Sequence, residues 1–310
     1  MVARAPATMT ADFIRRRRAI ILLVLLTLVW GTNWPLFPMA VREMSVWTFR
    51  AISVPFSGLL LLGVARLRGD SLTIPRAAWG TLIAATACYL LVWNIATAYA
   101  AVLIPSGQAA VLAFTMPLWA ALISRAVLGE RLAARMVAAL ALGAAAVGLL
   151  LAPAFSAYAR APVGVALGLL AGLGWAAGTV ILKVRRIPVP VLVLTGWQLL
   201  ISAVPIVIGA ALLGDGRWFM PSWQSITVIA YIALVPTCIG NVCWFMIVGL
   251  LPANVAGLSA VAVPVVAMIS GAIVHGEPLG PLQIAATLCC VAALSLALLQ
   301  PVARIPGDQH

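Results

Sequence analysis

Residues 94–132 read NIATAYAAVLIPSGQAAVLAFTMPLWAALISRAVLGERL, and residues 241–279 read NVCWFMIVGLLPANVAGLSAVAVPVVAMISGAIVHGEPL. At an offset of 147 the two stretches agree at eleven of 39 positions. Alanine and leucine would match by chance in an apolar chain, but an asparagine, two prolines and a Gly-Glu pair would not. These matches are Asn94 with Asn241, Pro105 with Pro252, Pro117 with Pro264, and Gly129-Glu130 with Gly276-Glu277. The chain therefore contains an internal repeat.

The composition of the whole chain points to a lipid environment. Of its 310 residues, 64% are hydrophobic and only 8% are charged, and the mean hydropathy is +1.14. Soluble domains carry about a quarter charged residues, so a soluble globular fold is excluded. The net charge of +12 would indicate a nucleic-acid partner in a soluble protein, and the positions of the basic residues must decide its meaning here.

Ten apolar stretches have about the 20 residues that a helix needs to cross a bilayer. The first follows Arg15–Arg18 in the manner of a secretory signal, but it reaches Met39 without a small-residue cleavage site, so we interpret it as a retained span. We predict a basic tail (1–18), two repeats (19–153 and 162–300) and a C-terminal tail (301–310). The predicted spans are 19–39, 45–65, 77–100, 106–128, 134–153, 162–183, 189–213, 222–248, 254–275 and 279–300.

The basic residues indicate how these spans are oriented. If the N-terminus is cytoplasmic, fifteen of the 19 Lys and Arg residues lie on the cytoplasmic side, three (Arg42, Arg160 and Arg217) lie outside, and Arg50 lies within a helix. The positive-inside rule then predicts a bacterial inner-membrane protein with both termini in the cytoplasm. The basic charge reflects topology, and no nucleic-acid partner is expected.

Each repeat contains five predicted spans, which is an odd number, so the second repeat enters the membrane from the opposite side. Secondary transporters use such inverted-topology repeats for alternating access, with the substrate near the midplane between the repeats. The sequence therefore predicts an all-α polytopic membrane protein with ten transmembrane helices in a 5+5 inverted repeat. Its expected partners are a small-molecule substrate and the lipid bilayer, and we expect a monomer or weak homodimer.

The repeated segments also resemble a known family. The stretch from Pro117 to Glu130 resembles the EamA-type domain, and the stretch from Pro264 to Glu277 resembles a second copy, as in the drug/metabolite transporter superfamily. This resemblance covers roughly residues 19–300 and implies a central cavity inside a ten-helix bundle. The tryptophan-rich helices are most similar to aromatic amino acid exporters of the YddG group. That similarity implies export of neutral or aromatic amino acids and related metabolites, with export of other small amphipathic compounds as the alternative.

Charged residues within the spans are functional candidates. All seven acidic residues fall in tails, connections or helix ends, so we expect no carboxylate at the midplane. This pattern disfavours an exporter of organic cations and favours facilitated transport without a proton relay. Arg50 has Gln198 as its counterpart in the second repeat. Arg50 either binds a substrate carboxylate, or extends to the interface or pairs with Glu43 or free carbonyls.

Aromatic and amide side chains share faces of the first, third, sixth and eighth spans by their helical spacing. They either pack the core or line a cavity for an apolar side chain with a polar end. Likewise, Asn94 and Asn241 either form hydrogen bonds between helices or shape two gates. The candidate substrate-binding residues are Trp30, Asn33, Trp34, Arg50, Tyr89, Trp93, Asn94, Tyr99, Trp175, Gln198, Asn241 and Trp244.

The prolines of the repeat are candidate hinges. Pro117 and Pro264 are predicted in mid-helix, where each would remove a backbone hydrogen bond and provide either a bending point or a static curve.

Other functional classes lack the residues that they need. An enzyme is not expected, because the two histidines lie near ends and the sequence has no Gly-x-Ser-x-Gly motif and no metal-ligand cluster. A channel would need charge rings or a carbonyl filter, and neither is visible in the sequence. No cofactor or metal is predicted.

Overall fold

A computed structural model describes residues 6–104, 106–129, 133–151, 162–214, 221–251, 262–276 and 280–298. These residues form helices with short connections, and no strand occurs among them. The all-α prediction is confirmed for this part of the chain.

The helices before residue 152 belong to the first half of the chain. They are α1 (Pro6–Gly31), α2 (Phe37–Ala40), α3 (Val46–Leu67), α4 (Trp79–Thr86), α5 (Val92–Leu103), α6 (Ser106–Ala113), α7 (Met116–Leu128) and α8 (Ala134–Leu151). The helices of the second half are α9 (Pro162–Val184), α10 (Val191–Leu213), α11 (Trp223–Ile232), α12 (Asn241–Leu250), α13 (Val263–His275) and α14 (Pro281–Leu298).

Two π-helical segments join pairs of these helices into longer rods. Ala87–Leu91 connects α4 to α5, and Ala233–Gly240 connects α11 to α12. Such segments are rare and occur frequently at functional sites.

Within the described residues, seven helical stretches are long and apolar enough to cross a membrane. Three further apolar helices are shorter. The chain is thus a membrane protein with several apolar helices. The seven long stretches are Arg17–Leu36, Val46–Leu67, Arg76–Ala100, Ala109–Val127, Pro162–Val184, Val191–Leu213 and Trp223–Leu250, and the shorter ones are Ala134–Leu149, Val263–Val274 and Ile284–Ala293.

The first span differs from its prediction at both ends. Helix α1 begins at Pro6, within the predicted tail, because arginine is a good helix former and Arg15–Arg18 continue the helix. After Gly31 the α-helix stops, and a 3₁₀ turn over Trp34–Leu36 leads into α2. Pro35 contributes to this break, since proline has no backbone N–H to donate to the preceding turn.

The positions predicted for Pro117 and Pro264 are wrong. A turn at Phe114 and Thr115 interrupts the fourth span, and Pro117 lies in the first turn of α7. Pro264 likewise lies in the first turn of α13. Proline is well tolerated there, because the N–H groups of a first turn have no partner within the helix. Neither proline removes a mid-helix hydrogen bond, and their role as hinges stays a prediction.

The two halves share backbone features at the offset of the sequence repeat. The π-helical segment Ala87–Leu91 shifted by 147 residues falls within Ala233–Gly240. Gly129 ends α7 and Gly276 ends α13, both in the left-handed conformation with φ of 63° and 67°. Glycine adopts this conformation at low cost and commonly ends helices in it.

The main helix contacts join the two halves. Helix α3 packs along α10, α8 along α14, and α5 along α9, while α1 lies against α12 and α13. The close contact at α9 depends on Gly178, where an added Cβ would lie 2.3 Å from the Cβ of Tyr89. The core therefore lies between the halves, and the cavity described next opens within it.

Candidate functional site

A cavity of about 60 Å³ lies between the two halves. Its lining combines aromatic rings, amides and hydroxyl groups with a single charged group. This volume holds about four water molecules. The lining residues are Trp30, Asn33, Trp34, Phe37, Arg50, Leu90, Trp93, Asn94, Thr97, Phe114, Trp175, Leu199, Pro236, Thr237 and Asn241.

The breaks in the helices place much of this lining. Asn33, Trp34 and Phe37 lie just beyond the end of α1, where the chain leaves the α-helix, and Phe114 lies in the turn between α6 and α7. Pro236 belongs to the second π-helical segment. Irregular backbone within a membrane protein is tolerated where it is buried or lines a cavity, and this cavity provides such a location.

Five rings form an aromatic cluster, defined as Trp30, Tyr89, Trp93, Trp175 and Trp244. Trp175 is its centre, with ring centroids 4.1 Å from Tyr89, 4.5 Å from Trp93 and 5.1 Å from Trp30. Trp244 lies 5.5 Å from Trp175 and 5.7 Å from Trp30. These distances fall in the range of favourable edge-to-face and tilted pairs. The cluster presents Trp30, Trp93 and Trp175 to the cavity.

Two hydrogen bonds fasten the aromatic cluster across the halves. Trp30 Nε1 donates to the carbonyl oxygen of Pro236 at 3.1 Å, and the Tyr89 hydroxyl donates to Asn241 Oδ1 at 3.3 Å. Each bond joins a residue of the first half to one of the second half, and three of the four residues lie in or next to a π-helical segment. The π-helical segments therefore lie where the two halves meet.

The two asparagines of the repeat have different partners. Asn241 Nδ2 donates to the Thr237 carbonyl at 2.8 Å, while its Oδ1 accepts from Tyr89. Asn94 Nδ2 donates to the Leu90 carbonyl within its own helix at 2.8 Å. Among the two, Asn241 alone has a side-chain bond between helices in the described structure, and both line the cavity.

Arg50 is buried, with 6% of its surface exposed, and lies at the cavity wall. Its guanidinium carbon is 5.0 Å from the ring centroids of both Phe37 and Phe49, a distance typical of cation–π contact. Arg50 Nε has no hydrogen-bond partner. The predicted alternative of a pair with Glu43 is wrong, because Glu43 binds elsewhere, as described next.

Glu43 and Lys183 hold opposite ends of the long helix formed by α11, its π-helical segment and α12. Glu43 Oε2 accepts from the Ser222 N–H at 3.0 Å and from the Ser225 hydroxyl at 2.7 Å. These bonds, with the Ser222 N–H as the main cause, lower the pKa of Glu43. Lys183 Nζ donates to the carbonyls of Val248 at 2.9 Å and Leu251 at 2.6 Å. An acid at a helix N-terminus and a base at its C-terminus both match the helix dipole.

Four of the predicted binding residues do not line the cavity. Tyr89 and Trp244 support the wall from behind, within the aromatic cluster. Gln198 is fully buried in α10, and both polar atoms of its side chain lack a partner. Tyr99 accepts a hydrogen bond from Trp47 Nε1 at 2.5 Å. The other eight predicted residues are brought together at the wall.

The sequence gave no signal for several wall residues. Leu90, Phe114 and Leu199 are apolar and have the composition of any lipid-facing position, and Pro236 was noted only as a bending point. The turn before Pro117 is the one feature that marks Phe114, since a proline in a first turn places the preceding residues outside the helix. Within the part of the chain that the structure describes, no group of His, Cys, Asp or Glu is placed to hold a metal ion.

Comparison with known proteins gives a family match over most of the chain. The model of the EamA-like transporter family matches residues 17–152 and residues 162–299. A crystal structure with 21% sequence identity superposes with a TM-score of 0.73 over 91% of this chain and 97% of the other, which shows a shared fold.

Two relatives have informative names. The uncharacterized inner membrane transporter YedA of Escherichia coli (strain K12) is 27% identical over 83% of this chain and 83% of its own length. A probable amino-acid metabolite efflux pump of Salmonella typhimurium is 28% identical over 66% of this chain and 72% of its own length.

Proposed function

Because the chain belongs to the EamA-like transporter family, we propose that it exports neutral or aromatic amino acids and related small metabolites by alternating access. The observation that carries this proposal is the cavity between the two halves, which combines aromatic walls, amides and one buried cation. An amino acid with an apolar side chain presents the matching groups. The name of the Salmonella relative and the resemblance to YddG-type exporters of aromatic amino acids support the same substrate class.

The proposal includes a ten-helix bundle built as a 5+5 inverted repeat. Seven long and three shorter apolar helices of the described chain support ten spans. The family model matches twice, and the helix-ending glycines Gly129 and Gly276 recur at the repeat offset. Contacts between helices at equivalent places in the halves, α3 with α10 and α8 with α14, are the contacts that a two-fold axis in the membrane plane would produce.

We place the protein in the inner membrane with both termini in the cytoplasm. The excess of arginine in the connections assigned to the cytoplasmic side supports this orientation, and the name of the E. coli relative supports the membrane. In this orientation Arg50 and Glu43 are near the outer face, and the aromatic cluster closes the inner end of the cavity.

The geometry suggests how a substrate binds. Its aromatic or apolar side chain packs against Trp93 and Trp175, and its carboxylate faces Arg50, while Asn33 and Asn241 provide amide groups for the remaining polar atoms. Aromatic pairs contribute about 0.5–1.5 kcal/mol beyond the area that they bury, and a bond from a charged donor contributes about 1.5–3 kcal/mol. Together these contacts favour apolar amino acids over strongly polar ones.

Alternating access requires the cavity to enlarge. A cavity with room for about four water molecules is too small for an amino acid such as phenylalanine, which has twelve non-hydrogen atoms. Opening towards the cytoplasm would part the two bonds between the halves, from Trp30 to Pro236 and from Tyr89 to Asn241. Each bond contributes about 1 kcal/mol, so thermal motion and substrate binding are sufficient to break them.

Counterflow in proteoliposomes tests the proposal. Vesicles containing the purified protein are preloaded with one unlabelled amino acid, and uptake of the same labelled amino acid is measured. We expect protein-dependent counterflow with phenylalanine, tryptophan and leucine and much less with lysine or aspartate. Protein-free vesicles are the control. Counterflow of amphipathic dyes but of no amino acid would instead support the multidrug alternative.

A further inference from the structure

The charge of Arg50 has no counter-charge in the described structure. The side chain is 94% buried because only 6% of its surface is exposed, and no described carboxylate forms an ion pair with it. Phe37 and Phe49 contact the guanidinium through their rings, which compensates only part of the lost hydration. Burying an unpaired charge is costly, so the site favours any ligand that brings a negative charge.

The acidic residues of the chain do not meet this need. Glu43, the acid nearest in sequence, is engaged with Ser222 and Ser225. Asp70 follows the far end of the 22-residue helix that contains Arg50. The cavity lining has no carboxylate among its described residues. The negative charge that pairs with Arg50 must therefore come from the cargo.

The net charge of the cargo then matters. A zwitterionic amino acid brings one carboxylate and one ammonium, so the occupied cavity keeps a charge of +1. The ammonium group meets amides and hydroxyl groups but no anion. A compound with a carboxylate and no ammonium makes the occupied cavity neutral, and it gains the same contact with Arg50 without burying a second cation.

We propose that Arg50 makes the cavity selective for monoanionic aromatic carboxylates, which bind more tightly than the corresponding amino acids, and that their export is driven by the membrane potential. This inference rests on the proposed transport function and deepens it. The carboxylate pairs with Arg50, and the ring packs against Trp93 and Trp175. Each transport cycle moves one negative charge outwards, which the inside-negative potential of a cell favours.

Three ligands with the same ring and carbon chain separate the charge states. They are 3-phenylpropionate, a monoanion; phenylalanine, a zwitterion; and phenylalanine amide, a cation. Binding is measured in detergent by intrinsic tryptophan fluorescence, since Trp30, Trp34, Trp93 and Trp175 line the cavity. We expect 3-phenylpropionate to bind at least about tenfold more tightly than phenylalanine, the difference that one charge-assisted contact provides, and the amide to bind most weakly.

Substitution of Arg50 tests the residue itself. Arg50→Met keeps an unbranched chain between the two phenylalanine rings and removes the buried charge, a change that is often neutral or stabilising for the fold. We expect this variant to lose the preference for 3-phenylpropionate, and Arg50→Lys to retain part of it. Arg42→Gln is the matched control, because Arg42 is an exposed arginine that does not line the cavity.

Transport under an imposed potential tests the driving force. A tenfold potassium gradient with valinomycin sets about 59 mV, equivalent to tenfold for one charge. We expect it to change the accumulation of labelled 3-phenylpropionate about tenfold over protein-free vesicles, and to leave phenylalanine counterflow unchanged. Equal or weaker binding of 3-phenylpropionate would overturn the inference even if phenylalanine counterflow were normal. Tight binding of 3-phenylpropionate without any amino acid counterflow would instead contradict the proposed amino acid substrates and support the inference.

Discussion

Trp30 Nε1 donates a hydrogen bond to the carbonyl oxygen of Pro236 at 3.1 Å, although the two residues are 206 positions apart. The bond joins the end of α1 to the π-helical segment of the second half. Trp30 also packs against Trp175 and Trp244, so this single side chain connects the cavity wall, the aromatic cluster and the opposite half. The predictions below begin from this contact.

Gly240→Ala should disrupt the position of Trp30. A Cβ at residue 240 would lie 2.2 Å from Trp30 Nε1, so the indole must move and its bond to Pro236 must break. We expect a loss of about 1–3 kcal/mol in stability, the usual result of overpacking, and at least about tenfold slower phenylalanine counterflow if the ring position matters to transport. Thermal unfolding and initial rates measure the two effects.

Gly249→Ala is the matched control for this substitution. Residue 249 lies in the same long helix, and an added Cβ there would meet no heavy atom within 4 Å. Alanine is the better helix former by about 0.5–1 kcal/mol, so stability should rise or stay level. Equal loss of transport in both variants would mean that the helix, and not Trp30, is sensitive.

Trp30→Phe and Trp175→Phe should differ in stability although the residue change is the same. Trp30 Nε1 has a partner, whereas Trp175 Nε1 has none. Loss of one hydrogen bond costs about 0.5–1.5 kcal/mol, so Trp30→Phe should be the less stable variant by about that amount. Both residues line the cavity, and both variants should bind phenylalanine more weakly. Unchanged affinity in both would reduce the tryptophans to packing residues.

The contact of Glu43 with the start of α11 should depend on pH. The Ser222 N–H and the Ser225 hydroxyl lower the pKa of Glu43 below its ordinary value of 4.5. The carboxylate therefore contributes stability that is fully present above about pH 4.5 and is lost as pH falls through the lowered pKa. The difference in melting temperature between wild type and Glu43→Gln should be constant near neutral pH and should shrink below pH 4.5. A difference that persists at pH 3 would contradict the role of the charge.

Thiol labelling tests the orientation. Arg42 and Arg185 are both exposed, and the positive-inside rule puts them on opposite sides of the membrane. In a cysteine-free background, an impermeant reagent added to intact cells should label Arg42→Cys and not Arg185→Cys. The reverse pattern would invert the topology and would place Arg50 near the cytoplasm.

The sequence predicted the features that depend on composition and spacing. Apolar stretches of about 20 residues predict spans because lipid satisfies no backbone group, and the matched Gly129 and Gly276 ended helices at equivalent positions. Eight of the twelve candidate residues came together at one cavity, because a helical face repeats every three to four residues.

The remaining features depend on contacts between distant residues. Spacing along one helix did not reveal that Tyr99 turns to Trp47, or that Gln198 is buried without a partner. Pro117 was misplaced because the helix break at Phe114 and Thr115 is set by tertiary packing and not by the local apolar pattern. The π-helical segments have no composition of their own, so no sequence pattern marked them.

The concentration dependence of phenylalanine counterflow in proteoliposomes tests the central claim most directly. A single cavity that alternates between the two sides of the membrane must saturate, so the initial rate should reach a plateau, and excess unlabelled tryptophan should compete with labelled phenylalanine. Flux that rises linearly with concentration, without competition, would contradict a carrier with one binding cavity between its halves.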